Sequence, residues 1–347
     1  MAVALAGVAV LGGVVACKAT HVIKADAVVS SSSAAATTSK PPPPPPVVWP
    51  LTGVVSGKVA PRPAVAVKIE NSLDARPQKG LNSADNVWEE VVEGGITRYL
   101  AVFHSHLPAE IGPVRSVRPM DPFMAAPLHG LLAFSGGQPG FVAAAGTSGV
   151  QIVSMDTGAA GFYRVSTRSA PHNVYASLQT FLAHADAAHQ AAPPAQFSYP
   201  SAGQQPSAFS AGSVPTAALH LTLSGVGHPN WTWSPAHKAW MRDESGTPAV
   251  EASGDPLHAT NVVVLRVDLF DTGKVDPAGN PVPETKLTGS GQALVASGGR
   301  SIPATWTKAS VGARLVLTGA AGAPITLAPG NTWIELVPNG SGAVARR

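Results

Sequence analysis

Apolar and polar positions follow two different rhythms along this chain of 347 residues. Between Pro61 and about Gln190, strand-like and helix-like stretches alternate. Ala64-Val-Ala-Val-Lys-Ile69 reads as a strand, and so does Thr97 to His104 with its Tyr, Val and Phe. His129 to Ser135 is an apolar run that breaks at Gly136-Gly137. The small residues from Gly140 to Thr147 suit a helix, and Val150 to Ser154 returns as a strand. From Asn173 to His189 a helix is predicted, with Val174, Leu178, Phe181, Leu182 and Ala185 on one face and Asn173 as N-cap. Strand, loop, helix and strand in this order predict an α/β or α+β layer arrangement.

Beyond a Pro-, Ala-, Ser- and Gln-rich stretch at 191–215 the rhythm changes. Leu219–Leu223, Trp231–Trp233, Lys238–Arg242 and Asn261–Val267 are short alternating or apolar runs. Gln292–Ala296, Ser301–Thr307, Arg314–Thr318 and Thr332–Val337 continue the series, with Gly, Pro, Asn and Asp between them. Such punctuation predicts a mainly antiparallel, all-β part, sandwich-like or partly barrel-like. Its tryptophans suit core and hairpin packing better than a ligand platform. The expected organisation is an α/β domain over 51–195, a linker over 196–215 and a β-rich domain over 216–347.

The N-terminus carries a different signal. Residues 1–16 are almost wholly apolar and end Gly13-Val14-Val15-Ala16, directly before Cys17, the single cysteine. The run is shorter than the roughly 20 residues of a membrane span, and its small residues mark a cleavage site. Residues 1–17 are therefore expected to be a lipoprotein signal with a lipobox, Cys17 being the lipidated residue, although no Lys or Arg precedes the apolar run. Residues 18–50 read as a tether: a Ser/Ala/Thr tract, then the hexaproline Pro41–Pro46. Polyproline rises about 3.1 Å per residue, which makes that part a stiff spacer. With Cys17 lipidated, no thiol remains for a disulfide, a thiolate nucleophile or a cysteine-held metal.

Charge is sparse, at 12% Asp, Glu, Lys and Arg, with a net charge of +3. Without a Lys/Arg run, a nucleic-acid partner lacks its electrostatic footprint. Against that background the arginines of Glu93-Gly-Gly-Ile-Thr-Arg98 and Gly112-Pro-Val-Arg-Ser-Val-Arg118-Pro119 stand out.

The strings Arg76-Pro-Gln-Lys-Gly-Leu81, Ala84-Asp85 with Glu89, Glu93–Arg98, Ala101–Phe103, Gly112–Arg118 and Ala170-Pro-His-Asn173 together resemble one known family. It is the YerB-like family of bacterial lipoproteins, whose domains are of unknown function. Asn261–Val264 and Pro329-Gly-Asn-Thr-Trp333 resemble its C-terminal part, so the resemblance covers about residues 50–338. It implies lipidation, an extracytoplasmic location and a two-domain build. It implies no activity.

The chemistry is read from the residues. Arginine grips phosphate or carboxylate at two points. Arg98, Arg115 and Arg118 form the candidate anion site, Arg98 following Gly94-Gly95, where backbone can approach a ligand closely. Arg164 and Arg168 could extend it. If Ser83–Glu93 is helical, Asp85, Glu89 and Glu93 make an acidic row that orients the arginines or holds a divalent cation such as magnesium. The alternative is that these arginines pair internally with Asp85, Glu89, Glu90 and Glu93. His172, between Pro171 and Asn173, suits an acid or base role, or a turn-fixing one. His104 and His106, with His129, have a spacing open to a metal, but one common by chance. Ser135 lacks the Gly-x-Ser-x-Gly elbow, and no phosphate-binding glycine loop occurs.

The expected function is a membrane-anchored, extracytoplasmic lipoprotein that binds an anionic envelope ligand: a phosphate-bearing lipid carrier, a wall polymer or an acidic peptide. Arg98, Arg115, Arg118, Asp85, Glu89, His172 and Asn173 are its expected contacts. One alternative is a metal-assisted phosphoryl or glycan-phosphate transferase or hydrolase. The other is an envelope adaptor with structural arginines.

Overall fold

The computed structural model describes residues 46–347. The signal sequence, Cys17 and most of the tether lie outside them. Ten strands form the main path of a twelve-stranded sheet. Five come from the N-terminal part: β1 (Val65–Glu70), β2 (Asn86–Val91), β3 (Thr97–Phe103), β4 (Leu131–Phe134) and β5 (Gln151–Ser154). Five come from the C-terminal part: β6 (Asn261–Val275), β7 (Gly289–Ser297), β8 (Arg300–Lys308), β9 (Val316–Thr318) and β10 (Thr332–Pro338). Their order is β9-β8-β7-β6-β10-β2-β3-β1-β4-β5.

The N-terminal part is mixed, with β1 antiparallel to β3 and parallel to β4, and three short helices, α1 (Asp121–Ala125), α2 (Pro139–Gly146) and α3 (Leu178–Ala183). The C-terminal part is strands, mainly antiparallel. Besides β6–β9 it builds a second sheet from Ala218–Thr222, Pro229–Ser234, Ala239–Glu244 and Ala343–Arg346. The exception is β10, which runs parallel to β6 on one side and to β2 on the other. It joins the two parts edge to edge in one sheet.

Side-chain alternation along these strands feeds two cores. Trp88, Leu100, Leu132, Phe134, Val263 and Ile334 pack on one face. Val67, Tyr99, Phe103, Trp231, Trp240 and Trp333 pack on the other. The tryptophans are core residues, as their setting suggested. The stretch 196–215, expected as a linker, is itself packed: Phe197 and Ala208 are buried, the Tyr199 hydroxyl donates to the Leu51 carbonyl at 2.6 Å, and Val214-Pro215 pairs with β8.

One expected helix is corrected, and the condition of a helical Ser83–Glu93 is not met. Residues 86–91 form a strand, because Val87, Trp88 and Val91 each find a sheet face to fill and the stretch pairs with β3 and β10. The helix expected from Asn173 starts only after Ser177, whose Oγ accepts from the Thr180 N–H at 3.4 Å. The residues before it, Val174–Ala176, pair with Phe162–Arg164 as a small ribbon, as a β-branched and aromatic run favours.

Candidate functional site

The ends of β1, β2 and β3 put charge where the strands leave the core. Glu70 lies opposite Arg98 in the β1–β3 register, and Glu90 lies opposite Arg98 in the β2–β3 register. The turn from β2 to β3 needs left-handed backbone at Gly94 and Gly95, with φ of 66° and 74°, which glycine adopts without a Cβ penalty. These glycines turn the chain and set Glu93 beside Arg98.

The string Gly112–Arg118 threads past the end of β1. Glu70 N–H donates to the Pro113 carbonyl at 2.9 Å, and Arg115 N–H to the Lys68 carbonyl at 2.9 Å. Gly112 is required by space: a Cβ there would lie 2.7 Å from the Tyr175 ring. Val114 and Val117 are buried, which pins the segment and aims the arginines.

Arg98, Arg115 and Arg118 converge. Glu93 takes Arg118 Nη2 at 2.8 Å, is also paired with Arg118 Nε, and lies 3.8 Å from Arg98 Nη2. Arg98 Nη1 donates to the Ser116 carbonyl at 3.1 Å, and Arg118 Nη1 to the Val117 carbonyl at 2.9 Å. Arg98 Nε is buried without a hydrogen-bond partner. Burial first, and the Arg118 guanidinium second, hold the Arg98 pKa down to about 10.

Arg115 differs in being 22% exposed, with its Nε 3.3 Å from Glu70 Oε1. The same oxygen receives His172 Nδ1 at 3.0 Å and the Ser72 hydroxyl at 2.9 Å, while Glu70 Oε2 is buried with no partner. His172 and Arg115 therefore meet on one carboxylate. Asn173 lies at the edge, its Oδ1 accepting from Arg164 at 2.6 Å, and Arg168 donates to the Asp74 and Pro77 carbonyls.

The two acids expected beside the arginines are elsewhere. Asp85 precedes β2 at its far end and accepts from the N–H groups of His104 and Ser105, at 2.5 and 2.9 Å; burial raises its pKa. Glu89 points to the other sheet face, where it accepts from Arg242 Nη2 at 2.6 Å and the Thr97 hydroxyl at 2.6 Å. A strand, not a helix, carries them, so the acidic row does not form. Among the described residues no three His, Cys, Asp or Glu side chains cluster as a metal site. His104 packs edge-on against Trp49, and burial lowers its pKa to about 4.

The comparisons fit this layout. Residues 51–191 match the family described as "Protein of unknown function (DUF3048) N-terminal domain", and residues 219–334 match its C-terminal domain. The chain belongs to the DUF3048 family. "Putative lipoprotein YerB" of Bacillus subtilis (strain 168) is 27% identical over 294 residues, 84% of this chain and 86% of that protein. The crystal structure of YerB protein from Bacillus subtilis superposes with a TM-score of 0.71 at 24% identity, covering 86% of this chain and 99% of that one. That likeness bears on the fold.

In this DUF3048 chain, three of the strings singled out in the sequence, Glu93–Arg98, Gly112–Arg118 and Ala170–Asn173, meet around Glu70 and Glu93. Sequence reasoning missed two buried cations, one on each face of the sheet. Lys68 Nζ is fully buried, paired with Glu90 and 2.7 Å from Asp121. Its signal was a lysine at an inward position of an apolar strand. Arg242 was missed as well. It is buried against Glu89, Glu244 and Glu335, with its guanidinium 4.9 Å from the Trp333 ring centroid and 5.3 Å from that of Trp231.

Proposed function

We propose that this protein is a lipid-anchored, extracytoplasmic binding protein for an anionic, phosphate-class envelope ligand. One observation carries the reading: three guanidinium groups converge and share two carboxylates, Glu70 and Glu93, as their ion-pair partners. Arg98 Nε, buried without a hydrogen-bond partner, is a donor that the protein itself leaves unused. Arg98 and Arg118 set the field from below. Arg115 and His172, both partly exposed, make the contact. Asp85 and Glu89, engaged elsewhere, are left out of it. The anchor rests on the Ala16-Cys17 junction and on the name of the Bacillus subtilis relative.

A second reading has its own support. Arg98 and Arg118 are nearly sealed and their pairing with Glu93 is internal, which suits structural struts in an envelope adaptor.

Melting of the protein against pyrophosphate, glycerol phosphate and a short-chain polyprenyl phosphate, each with and without magnesium, separates the two. A ligand at 100 times its Kd stabilises by about 2.7 kcal/mol. The expected result is an upward shift that disappears in Arg115→Gln, whose own melting point stays near wild type. A shift only in the presence of magnesium would bring a cation into the site. If no anion shifts the midpoint while Arg98→Ala and Arg118→Ala lower it, the arginines are struts. The anchor is checked in bacterial cells by fatty-acid labelling, expected for the full chain and lost in Cys17→Ser.

A further inference from the structure

The string Arg76-Pro77-Gln78 takes no part in the arginine cluster. It lines a separate cavity of about 320 Å³ on the other side of the sheet, between residues 71–78 and 244–257. Small-molecule sites begin at about 300 Å³ and are mostly apolar with a few fixed polar groups. This cavity has that make-up. Leu73, Pro77, Pro248, Val250 and Leu257 supply apolar wall, and Leu73 is left 81% exposed at the rim. The polar lining is concentrated in Arg76, Tyr99, Glu244 and the Asn71–Gln78 pair.

The polar groups are held before any ligand arrives. Arg76 Nε donates to Asn71 Oδ1 at 3.0 Å and Nη2 to the Asn71 carbonyl at 3.1 Å. Asn71 is fixed in turn by Gln78 Nε2 at 3.0 Å and by the Thr97 hydroxyl at 2.7 Å. Glu244 is already committed: Oε1 accepts from Tyr99 at 3.1 Å and from Arg242 at 2.6 Å, and Oε2 faces Arg76 Nη2 at 3.3 Å. No hydrogen bond in this network uses Arg76 Nη1. The donor left to a ligand is therefore Nη1 of a braced guanidinium, a charged N–H group from which a carboxylate oxygen accepts.

We propose that this cavity binds a small apolar carboxylate, its head on Arg76 and its body against Pro77, Pro248 and Val250. Fixing Arg76 through Asn71 and Gln78 removes the ordering cost that a free arginine would charge to binding. The site is distinct from the phosphate-class one, since Glu70, Glu93, Arg98, Arg115 and Arg118 do not line it, and the two touch only where Gln78 Nε2 donates to the Glu70 carbonyl at 2.9 Å.

Titration calorimetry of the purified protein with 3-phenylpropanoate and 4-methylpentanoate, each against its primary amide, tests the assignment. Both acids are expected to bind, with each amide weaker by about tenfold or more, as for a lost hydrogen bond to a charged group. Arg76→Gln should weaken the acids by a similar factor and leave the amides unchanged. Ala249→Phe, which fills the cavity from its wall and leaves Arg76 in place, should abolish binding of all four and guards against misfolding of the Arg76 variant. Acids and amides binding alike, acids bound undiminished by either variant, or no acid bound at all would each overturn the proposal.

Discussion

Arg242 is sealed from solvent among three carboxylates and three aromatic rings. Two of those acids, Glu89 and Glu335, are fully buried, and burial together with its neighbour Glu89 pushes the Glu335 pKa well above the usual range. Taking the cation away leaves Glu89 without its countercharge inside protein. Arg242→Met is expected to cost about 3–5 kcal/mol in urea unfolding, the range for breaking a buried ion pair on one side. A loss within about 0.5 kcal/mol would mean that the acids are hydrated or reorganise. On the opposite face, Glu90 shares Lys68 with Asp121, and burial, with Asp121 adding to it, raises the Glu90 pKa to about 8. The folded state then holds a proton that the unfolded chain releases above its ordinary value of 4.5. Stability from this group is complete below about pH 4.5 and is lost as pH climbs through 8. Urea midpoints between pH 5 and 8.5 should fall less in Glu90→Gln than in wild type; equal slopes would remove Glu90 as the cause. None of these partners could be read from spacing, because Arg242 meets Glu89 across 153 positions of chain. What spacing did offer, acids at 85, 89 and 93, would share a face only on a helix, and residues 86–91 are a strand.

At the scale of elements, the alternation of apolar residues was a sound guide wherever a strand had one face on a core. The runs at 64–69, 97–104, 261–267 and 332–337 all appear as strands within a residue or two, apart from the long extension of β6 to Val275. That extension pairs with Pro281–Lys286 and is mostly exposed beyond Val267, so no core-facing alternation marked it. The misread helix at 173–189 shows the competing force. Val174 and Tyr175 lie on an apolar helical stripe, yet the ribbon with Phe162–Arg164 takes them first, and Ser177 becomes the cap. Ser177→Ala should cost about 1 kcal/mol by thermal or chemical unfolding, as for loss of an N-cap. Asn173→Ala should leave the helix intact, because its side chain is bound to Arg164 and the Val165 carbonyl instead. The convergence of Arg98, Arg115 and Arg118 was legible as composition. Their geometry was not, because it depends on how residues 112–118 thread between β1 and the end of β4.

The molecule as a whole is organised by β10. Composition marked two parts with a change of rhythm between them, and the family domains match each part separately. What composition could not disclose is that β10, from the second part, pairs with β2 of the first, Thr332 beside Asn86 and Glu335 beside Glu89. Trp333 also packs against Tyr99 and Trp231 at 5.2 and 5.1 Å, which ties both parts to one core. A fragment ending at residue 215 would expose the β2 edge and the face under Trp333. It is expected to aggregate or to lack a cooperative melt, whereas residues 46–347 should unfold in one transition by calorimetry. A cooperative melt of the fragment alone would show that the first part is self-sufficient.

The position of β10 also orders events in time. β2 is made well before β10, so the slot between β2 and β6 stays open until the intervening residues and β10 are in place. Contacts between such distant stretches of chain slow folding. A chain cut short between residues 318 and 332 lacks the middle of its sheet rather than an edge, and leaves both β2 and β6 with a bare border. Incomplete copies thus carry a structural mark of their own incompleteness, exposed to any protease that surveys unpaired backbone.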